Sequence, residues 1–389
     1  MTEKEKLFGF ASSALMLTAL FAAAGVPVPL YNLYIHNLNL ATSVLSLTAV
    51  LYFAGTVSAL LFFARLSNYW GRKPVIYLTL VLGIAGCLLL SNVTNLYLLL
   101  GGRLLQGLSC GLASSTVTAF IIDNEPQKYS GWAAVMIGSL PNIGIVAGAL
   151  GAGIINEFST SLALAFIAVI ILLLLCVILA YRCRETVPQR AGVWQSLVPQ
   201  IKLTAYIKHM LPAAACAFAG SWAVGGFYQA FSSAIALRQF GLESTFVASL
   251  VLVSFILPIA LGALLARGHN NFLSQRYGMT IFFMSFLGIL FSLQLPSILP
   301  FLLLNVLAGT AEGAVFTASM NIIMEETSLA DRAGVLSLIY IISYAGAVLP
   351  NLLVSRIADS LTLYQITAGY VILVGISWLV ILLTARQKV

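Results

Sequence analysis

The sequence predicts an all-α membrane protein, and its composition, its apolar stretches and an internal repeat carry that prediction. Of the 389 residues, 60% are hydrophobic and only 8% are charged, and the mean hydropathy is +1.01. Soluble domains carry about 25% charged residues and about 45 to 50% apolar ones. Most of the surface of this chain is therefore expected to face lipid rather than water.

The apolar stretches are long enough to be transmembrane helices. About 18 to 25 apolar residues cross a hydrocarbon core of roughly 30 Å as a helix. Only helices and closed barrels satisfy their backbone groups in lipid, and these runs are too long for barrel strands. Twelve helices are predicted, over residues 8–33, 42–64, 75–92, 96–121, 131–155, 161–181, 209–235, 244–266, 279–295, 297–322, 334–356 and 362–384.

An internal repeat relates the two halves of the chain at an offset of 202 residues. Residues 103–111 align with residues 305–313, and the two glycines of each segment coincide. The same offset places Asp123 on Glu325. We therefore predict two pseudo-symmetric six-helix bundles with a substrate site between them near the membrane midplane, which is a transporter architecture.

The longest connection, residues 182–208, separates a bundle over residues 1–181 from one over residues 209–389. Its apolar side chains recur at helical spacing beside Lys202 and Lys208, which favours an interfacial helix on anionic lipid. These side chains are Trp194, Leu197, Val198 and Ile201. A disordered linker is the alternative.

Lysine and arginine positions predict the orientation. With the N-terminus inside, sixteen of these cations fall on the cytoplasmic side, whereas Arg238 and Arg356 fall outside and Arg103 lies within a span. Both termini are therefore expected in the cytoplasm. Because the cations are scattered rather than gathered in a patch, we expect no binding of nucleic acid.

Cysteine and histidine usage argues against metal sites and enzymes. Four of the five cysteines lie inside apolar runs, and no C-x-x-C or mixed His/Cys cluster occurs. An enzyme needs a nucleophile, a base or metal ligands brought together, whereas the three histidines are scattered. We expect no metal, no cofactor and no enzymatic activity.

The loop after the second predicted helix carries the clearest motif. It reads ARLSNYWGRKP over residues 64–74. This segment resembles the G-x-L-x-D-R-x-G-R-K signature of the major facilitator superfamily and keeps its Leu66, Gly71, Arg72 and Lys73. It departs from the signature at three positions, which are Ala64, Asn68 and Tyr69.

The resemblance implies a cytoplasmic gate in which this loop works with an acid at the end of the fourth helix. The residues concerned are Asn68, Gly71, Arg72, Lys73 and Asp123. Arg72 is the expected partner of Asp123. Because Asn68 stands where the family has Asp, it cannot make a charge-assisted bond, and we expect a looser gate. The alternative is that Arg72 and Lys73 only set the topology.

Arg103 begins a segment, Arg103-Leu104-Leu105-Gln106-Gly107, that resembles the fourth-helix motif R-x-x-Q-G of the same family. The resemblance implies that this Arg lines the central cavity and takes part in proton relay or substrate contact. An Arg within a span is costly and should face a partner or a wet cavity. The alternative is an Arg that snorkels to the outer headgroups.

Glu312 is the only acid deep inside any predicted span. A carboxylate isolated in apolar surroundings favours its protonated form, so it can load and lose a proton during a transport cycle. We predict Glu312 as the main proton carrier, with Asp123 and Arg103 as further residues of proton coupling. The alternative is a neutral carboxylic acid that only hydrogen-bonds a neighbouring helix.

The fifth predicted helix is rich in glycine. Gly144, Gly148 and Gly151 fall on one face and, with Gly153, predict close helix packing. The segment partly resembles the family's antiporter motif G-x-x-x-G-P-x-x-G-G, with Ala149 in place of the proline. That resemblance implies export, although packing by small residues explains the glycines equally well.

The remaining polar and aromatic side chains within spans are candidates for lining a substrate cavity. An apolar, aromatic pocket with few polar groups suits an amphipathic organic molecule. The candidates are Tyr31, Asn32, Tyr34, Arg103, Gln106, Asn142, Trp222, Phe227, Tyr228, Gln229, Asn305, Glu312, Tyr340 and Tyr344. For each of them, helix packing is an equally good explanation.

The resemblance as a whole implies a proton-coupled secondary transporter that works by alternating access. We expect export of a small amphipathic molecule, a drug or a metabolite, from the cytoplasm of a bacterium. The protein would lie in the cytoplasmic membrane as a monomer among lipids. The alternative is a proton symporter that takes up a nutrient such as a sugar or an organic acid. Glu312 does not decide between them, because proton-coupled sugar members of the family also carry a carboxylate in the tenth helix.

Overall fold

The computed structural model describes residues 2–159, 161–192, 205–325, 327 and 332–385, with the backbone alone for 205–209, 332–334 and 337. About 85% of the described residues are helical. The described residues contain no strand. The predicted all-α membrane fold is confirmed.

A helix lies at each predicted span. We number these helices α1 (Glu3–Leu38), α2 (Ser43–Phe63), α3 (Arg72–Ser91), α4 (Leu96–Asp123), α5 (Trp132–Phe158), α6 (Ala163–Arg182), α7 (Ala205–Ala234, continued by Ile235–Gln239), α8 (Thr245–Leu265), α9 (Asn271–Ser292), α10 (Leu299–Glu325), α11 (Arg332–Ile357, continued by Ala358–Ser360) and α12 (Leu363–Thr384).

Eleven of the described helices are long and apolar enough to cross a membrane, and α9 is the predicted span that is not among them. The helix begins at Asn271, eight residues before the predicted start, because the side chain of Asn270 caps it by accepting bonds from the backbone N–H groups of Phe272 and Leu273. Its first turns therefore include Gln275 and Arg276, which lower its mean hydropathy.

Two helices are interrupted at prolines. In α1 the chain passes through a 3₁₀ turn at Val28–Leu30, directly after Pro27. In α8 the regular helix stops at Ile256 and resumes at Ile259, after Pro258. Proline lacks the backbone N–H and its ring displaces the preceding carbonyl, so each interruption follows from the local sequence.

The protein divides into two compact units. Unit 1 comprises Met1–Leu40 and Leu51–Pro199, and unit 2 comprises Ala41–Val50 and Gln200–Val389. The first residues of α2 therefore belong to unit 2, although they precede most of unit 1 in sequence. The interfacial helix is predicted within residues 182–208, and the apolar side chains that predict it, Trp194, Leu197, Val198 and Ile201, lie outside the described residues.

Within unit 1, glycines bring α5 against α1. A Cβ atom on Gly144 would lie 2.5 Å from the carbonyl oxygen of Thr18, and one on Gly148 would overlap the carbonyl of Ala22. Gly153 is buried. Gly151 has nothing within 4 Å of its Cβ position, so it takes no part in this close approach. Small residues that let backbones meet are typical of membrane helix pairs.

Each unit contains the same glycine contact between its second and fourth helices. In each unit two glycines of the fourth helix lie directly against carbonyl oxygens of the second, where a Cβ atom would overlap them. The pairs are Gly107 with Tyr52 and Gly111 with Thr56 in unit 1, and Gly309 with Phe255 and Gly313 with Ile259 in unit 2. The repeat detected in the sequence is thus present as equivalent packing inside the two units.

Candidate functional site

Arg72 and Asp123 form the centre of a polar cluster between α3 and the end of α4. The Nε of Arg72 donates to the Asp123 carboxylate at 2.9 Å. Its Nη1 donates to the Ser67 hydroxyl and to the Asn68 side-chain oxygen, each at 2.8 Å. The expected ion pair between Arg72 and Asp123 is present. Asn68 also accepts a hydrogen bond from the same guanidinium.

A second acid, which sequence reasoning missed, completes this cluster. The carboxylate of Glu185 accepts from the backbone N–H of Arg72 at 2.8 Å and of Lys73 at 2.9 Å. It therefore caps the N-terminus of α3, where an anion is stabilised by free N–H groups and the helix dipole. Thr186 adds a hydroxyl bond of 2.7 Å to Asp123.

The approach of Glu185 depends on Gly71. Its φ of +89° is a conformation that residues with a side chain rarely adopt. A Cβ atom there would also lie 2.9 Å from a Glu185 carboxylate oxygen. The sequence did contain a signal for Glu185, because it is the one acid in the otherwise basic stretch 182–208.

Lys73 ties the same cluster to the end of α6. Its Nζ donates to the carbonyl oxygens of Tyr181 and Cys183, at 3.0 and 2.7 Å. These carbonyls belong to the last turn of α6 and the residue that follows it, where a cation is stabilising. The gate residues expected from the loop, namely Asn68, Gly71, Arg72, Lys73 and Asp123, therefore lie in one network with Glu185 and Thr186.

Arg103 lies fully buried inside unit 1, with 0% of its side chain exposed. Its Nη1 donates to the carbonyl oxygen of Ala24 at 3.0 Å and to the Gln106 side-chain oxygen at 2.9 Å. The guanidinium carbon lies 4.5 Å from the centre of the Tyr52 ring and 5.8 Å from that of Tyr31. Arg103 is thus a packed residue of the bundle, held by backbone, amide and aromatic faces.

Other cavity candidates in unit 1 are engaged in packing as well. Gln106 donates to the carbonyl of Ala23 at 2.6 Å, and the Tyr34 hydroxyl donates to the carbonyl of Leu90 at 2.8 Å. Asn32 and Asn142 are only partly buried. The fourth helix is therefore bound to α1 through two neighbouring carbonyls, those of Ala23 and Ala24.

Glu312 occupies a different environment in the middle of α10. Only 6% of the residue is exposed, and its Oε2 is buried without a hydrogen-bond partner among the described residues. The hydroxyl of Ser221 on α7 lies beside the carboxyl, but it donates to the carbonyl of Ala217 at 2.7 Å. Neither ion pair found among the described residues includes Glu312. A buried carboxyl in this situation is costly to keep charged.

The aromatic candidates of unit 2 form two groups. Tyr228 donates to the side-chain oxygen of Asn305 at 2.5 Å, and Asn305 donates to Ser254 at 3.0 Å. The Tyr228 ring stacks on Phe255, with centroids 4.7 Å apart. Phe227 packs in the same group, 4.9 Å from the ring of Tyr370.

The second group begins at Trp222, which lies more than one helix turn before Phe227 along α7. Trp222 meets Tyr344 edge-on at 4.5 Å, and Tyr340 follows at 6.4 Å from Tyr344. The side chains of Trp222 and Tyr340 are partly exposed. Gln229 follows Tyr228 of the first group in sequence and is buried, with 7% of the residue exposed.

No group of three or more His, Cys, Asp or Glu side chains that could hold a metal ion occurs in the described part of the chain. Four of the free cysteines are buried, and Cys216 is half-buried.

Comparison with known proteins gives a consistent result over most of the chain. The sequence model described as Major Facilitator Superfamily matches residues 11–348. The chain is 36% identical over 100 residues to Sugar transport protein 2 of Arabidopsis thaliana, a stretch that is 26% of this chain and 20% of that protein.

Two further relatives carry related names. The chain is 36% identical over 91 residues to Glucose transporter GlcP of Staphylococcus epidermidis, covering 23% of this chain and 20% of the relative. It is 33% identical over 129 residues to H(+)/hexose cotransporter 2 of Parachlorella kessleri, covering 32% and 22%. In each case the match spans about a fifth of the relative's length.

Proposed function

This chain is a major facilitator superfamily transporter, and on that premise we propose that it is a proton-coupled symporter that takes up a sugar. Membership of the family rests on the match over residues 11–348. The sugar rests on the names of the relatives, which include a glucose transporter and a proton/hexose cotransporter.

Glu312 is the proposed proton carrier, and its buried, unsatisfied carboxyl is the observation that carries the coupling mechanism. Burial disfavours the charged form of such a carboxyl, and no ion pair holds it charged, so it can bind a proton and release it when its surroundings change during the cycle. The protonated and charged forms would then favour different conformations of the transporter, which couples proton movement to substrate movement.

Uptake of a sugar replaces the expected export of an amphipathic compound as the better-supported function. The expectation of export came from the glycines of α5. Two of them, Gly144 and Gly148, pack directly against α1, so helix packing accounts for their presence. The names of the relatives agree with the alternative of nutrient uptake instead.

Three further expectations remain proposals. We place the protein in the cytoplasmic membrane of a bacterium with both termini inside, on the strength of the lysine and arginine count. We propose that it acts as a monomer in contact with membrane lipids. Its ligands on this proposal are a sugar and protons, with the proton gradient as the energy source.

The test is transport by purified protein in lipid vesicles with an imposed pH gradient, using a panel of radiolabelled hexoses and pentoses. We expect one or more sugars to accumulate on the alkaline side. Glu312→Gln mimics the protonated carboxyl, so it should abolish gradient-driven accumulation and retain sugar exchange at equal pH. Glu325→Gln is the matched control, because it removes an exposed carboxylate from the end of the same helix.

The two parts of the proposal fail separately. Sugar moving against the proton flux, or no sugar transported while an amphipathic cation is expelled, would restore the export function. Accumulation by Glu312→Gln equal to that of the wild type would move the coupling proton elsewhere, with Asp123 as the next carboxylate to substitute.

A further inference from the structure

A small cavity lies within unit 1, where the N-terminal end of α1 meets the C-terminal end of α6. The two helices pack against each other, and the cavity between their ends has a volume of about 230 Å³. Its lining side chains are Lys4, Glu5, Phe8, Arg182, Cys183 and Arg184. Three of these six side chains are cations and one is an anion, so the cavity has an excess of positive charge.

The cations of this cavity are only partly compensated. Arg184 Nη2 lies 3.0 Å from the Glu5 carboxylate, and 64% of the Arg184 side chain is exposed. An exposed pair of this kind is weak. Neither Lys4 nor Arg182 forms an ion pair with a described residue. Two positive charges, one from each helix, are therefore left for an anion that enters the cavity.

Apolar side chains continue from the cavity along both helices. On α1, Phe8 lies one turn after Lys4 and is exposed. On α6, Ile178 lies one turn before Arg182, Leu175 lies one turn earlier still, and both are exposed. Residues three or four apart share one face of a helix. Each helix therefore presents a cation at its end and apolar side chains on the same face towards the membrane interior.

We propose that this cavity binds the phosphate of an anionic phospholipid, whose acyl chains lie along Phe8 and Ile178. A phospholipid has the same order of groups, with a phosphodiester at the membrane surface and hydrocarbon beneath it. A headgroup without an ammonium group, as in phosphatidylglycerol, leaves the phosphate charge free to pair with Lys4 and Arg182. The headgroup of phosphatidylcholine would instead bring its own cation close to these two side chains.

The orientation proposed above places this site in the cytoplasmic leaflet, because α1 begins and α6 ends on that side. A bound lipid would join the ends of two helices of unit 1, and a ligand that binds only the folded state stabilises that state. The inference goes beyond the uptake of a sugar and is independent of which substrate is carried.

The first test is binding of phosphatidylglycerol to the purified full chain in detergent micelles, with phosphatidylcholine of the same acyl chains as the comparison lipid. Native mass spectrometry counts the bound lipids over a titration. We expect one molecule of phosphatidylglycerol to bind at least about fivefold more tightly than phosphatidylcholine, and the melting temperature to rise with its concentration. Equal affinity for the two lipids would overturn the proposal.

The second test removes the two uncompensated cations. A basic residue near anionic lipid contributes about fivefold in affinity, so Lys4→Gln combined with Arg182→Gln should weaken phosphatidylglycerol binding about 25-fold and leave phosphatidylcholine binding unchanged. Lys128→Gln combined with Arg276→Gln is the matched control, because it removes two exposed cations that do not line the cavity. An equal loss in the two double variants would overturn the proposal, since it would report net charge alone.

Two further measurements identify the occupant and its place. Glycerol phosphate carries the phosphate without acyl chains, and displacement of the lipid by millimolar glycerol phosphate would overturn the assignment to a lipid. In the wild type, phosphatidylglycerol with a photoreactive group on its acyl chain should label residues 4–11 and 175–184, and labelling confined to other segments would overturn the site. This arm needs no variant to fold. Because no sugar is present, failure of the sugar proposal would be seen separately.

Discussion

The fourth helix of each unit carries one charged residue within the bundle, and the two residues differ in their hydrogen-bond partners. Arg103 in unit 1 donates to the Ala24 carbonyl and to Gln106 and lies against the ring of Tyr52. Glu312 in unit 2 is just as deeply placed, but Oε2 has no partner among the described residues. Both helices are positioned by the same glycine contact to a second helix.

The residues at the equivalent positions sharpen this difference. At the offset of 202, Asn305 stands where Arg103 stands, and it bonds Tyr228 and Ser254. Cys110 stands where Glu312 stands, and its thiol donates to the carbonyl of Leu20 at 3.6 Å. Among these four positions, Glu312 alone carries an ionisable carboxyl with a buried oxygen left unsatisfied. The same helix packing therefore surrounds Arg103 with hydrogen-bond acceptors in unit 1 and leaves a carboxyl oxygen of Glu312 without a partner among the described residues in unit 2.

The largest expected effect on stability comes from removing the packed cation. Arg103→Met leaves the Ala24 carbonyl and the Gln106 amide oxygen without their donor, and it should lower the free energy of unfolding by about 3 kcal/mol. Glu312→Gln should change it by less than about 1 kcal/mol, because it nearly preserves the shape of the side chain and breaks neither ion pair found among the described residues. Reversible unfolding in mixed detergent micelles measures both. Equal losses in the two variants would break the comparison.

The shared scaffold predicts a smaller effect that is the same in both units. Gly107→Ala and Gly309→Ala each place a methyl group on a carbonyl oxygen, that of Tyr52 or Phe255. Each should cost about 1 to 3 kcal/mol, because backbone must move to relieve the overlap. Gly151→Ala is the control and should cost nothing, since nothing lies within 4 Å of the added atom. A large loss in only one of the two units would show that their packing is not equivalent.

The smallest effect concerns the C-terminal ends of the same fourth helices. Asp123 is paired with Arg72, whereas Glu325, its equivalent, is exposed and forms no ion pair among the described residues. Asn68→Asp restores the family's acid beside Arg72 and turns the 2.8 Å bond between the guanidinium and a neutral amide oxygen into an ion pair. It should stabilise the protein by up to about 1 kcal/mol and slow turnover in the vesicle assay. Faster turnover would contradict a gate at this cluster.

Several parts of this site could be predicted from the sequence. The resemblance of the loop to the family signature led to the pairing of Arg72 with Asp123, and the ion pair is present. The isolation of Glu312 followed from its being the one acid inside a span. The Glu312 prediction depends only on the order of residues and the thickness of a membrane.

Other parts required the fold. Glu185 lies 113 residues from Arg72 along the chain, and only the packing of α6 beside α3 brings its carboxylate to that helix end. The contacts of Arg103 with the carbonyl of Ala24 and the ring of Tyr52 likewise join residues that are far apart in the chain. Gly151 shares a helix face with Gly144, yet no neighbouring backbone reaches it. Helical spacing defines a face and does not specify which atoms meet it.

The sequence by itself determined that this chain is helical, lies in a membrane and is built from two related halves. These properties follow from composition and periodicity, because the bilayer imposes one length and one kind of backbone bonding on every span. Only the tertiary structure decided which charged side chains are bound and which are not, and that residues 41–50 belong to unit 2. Such pairings depend on contacts between residues far apart in the chain, which periodicity within one helix does not encode.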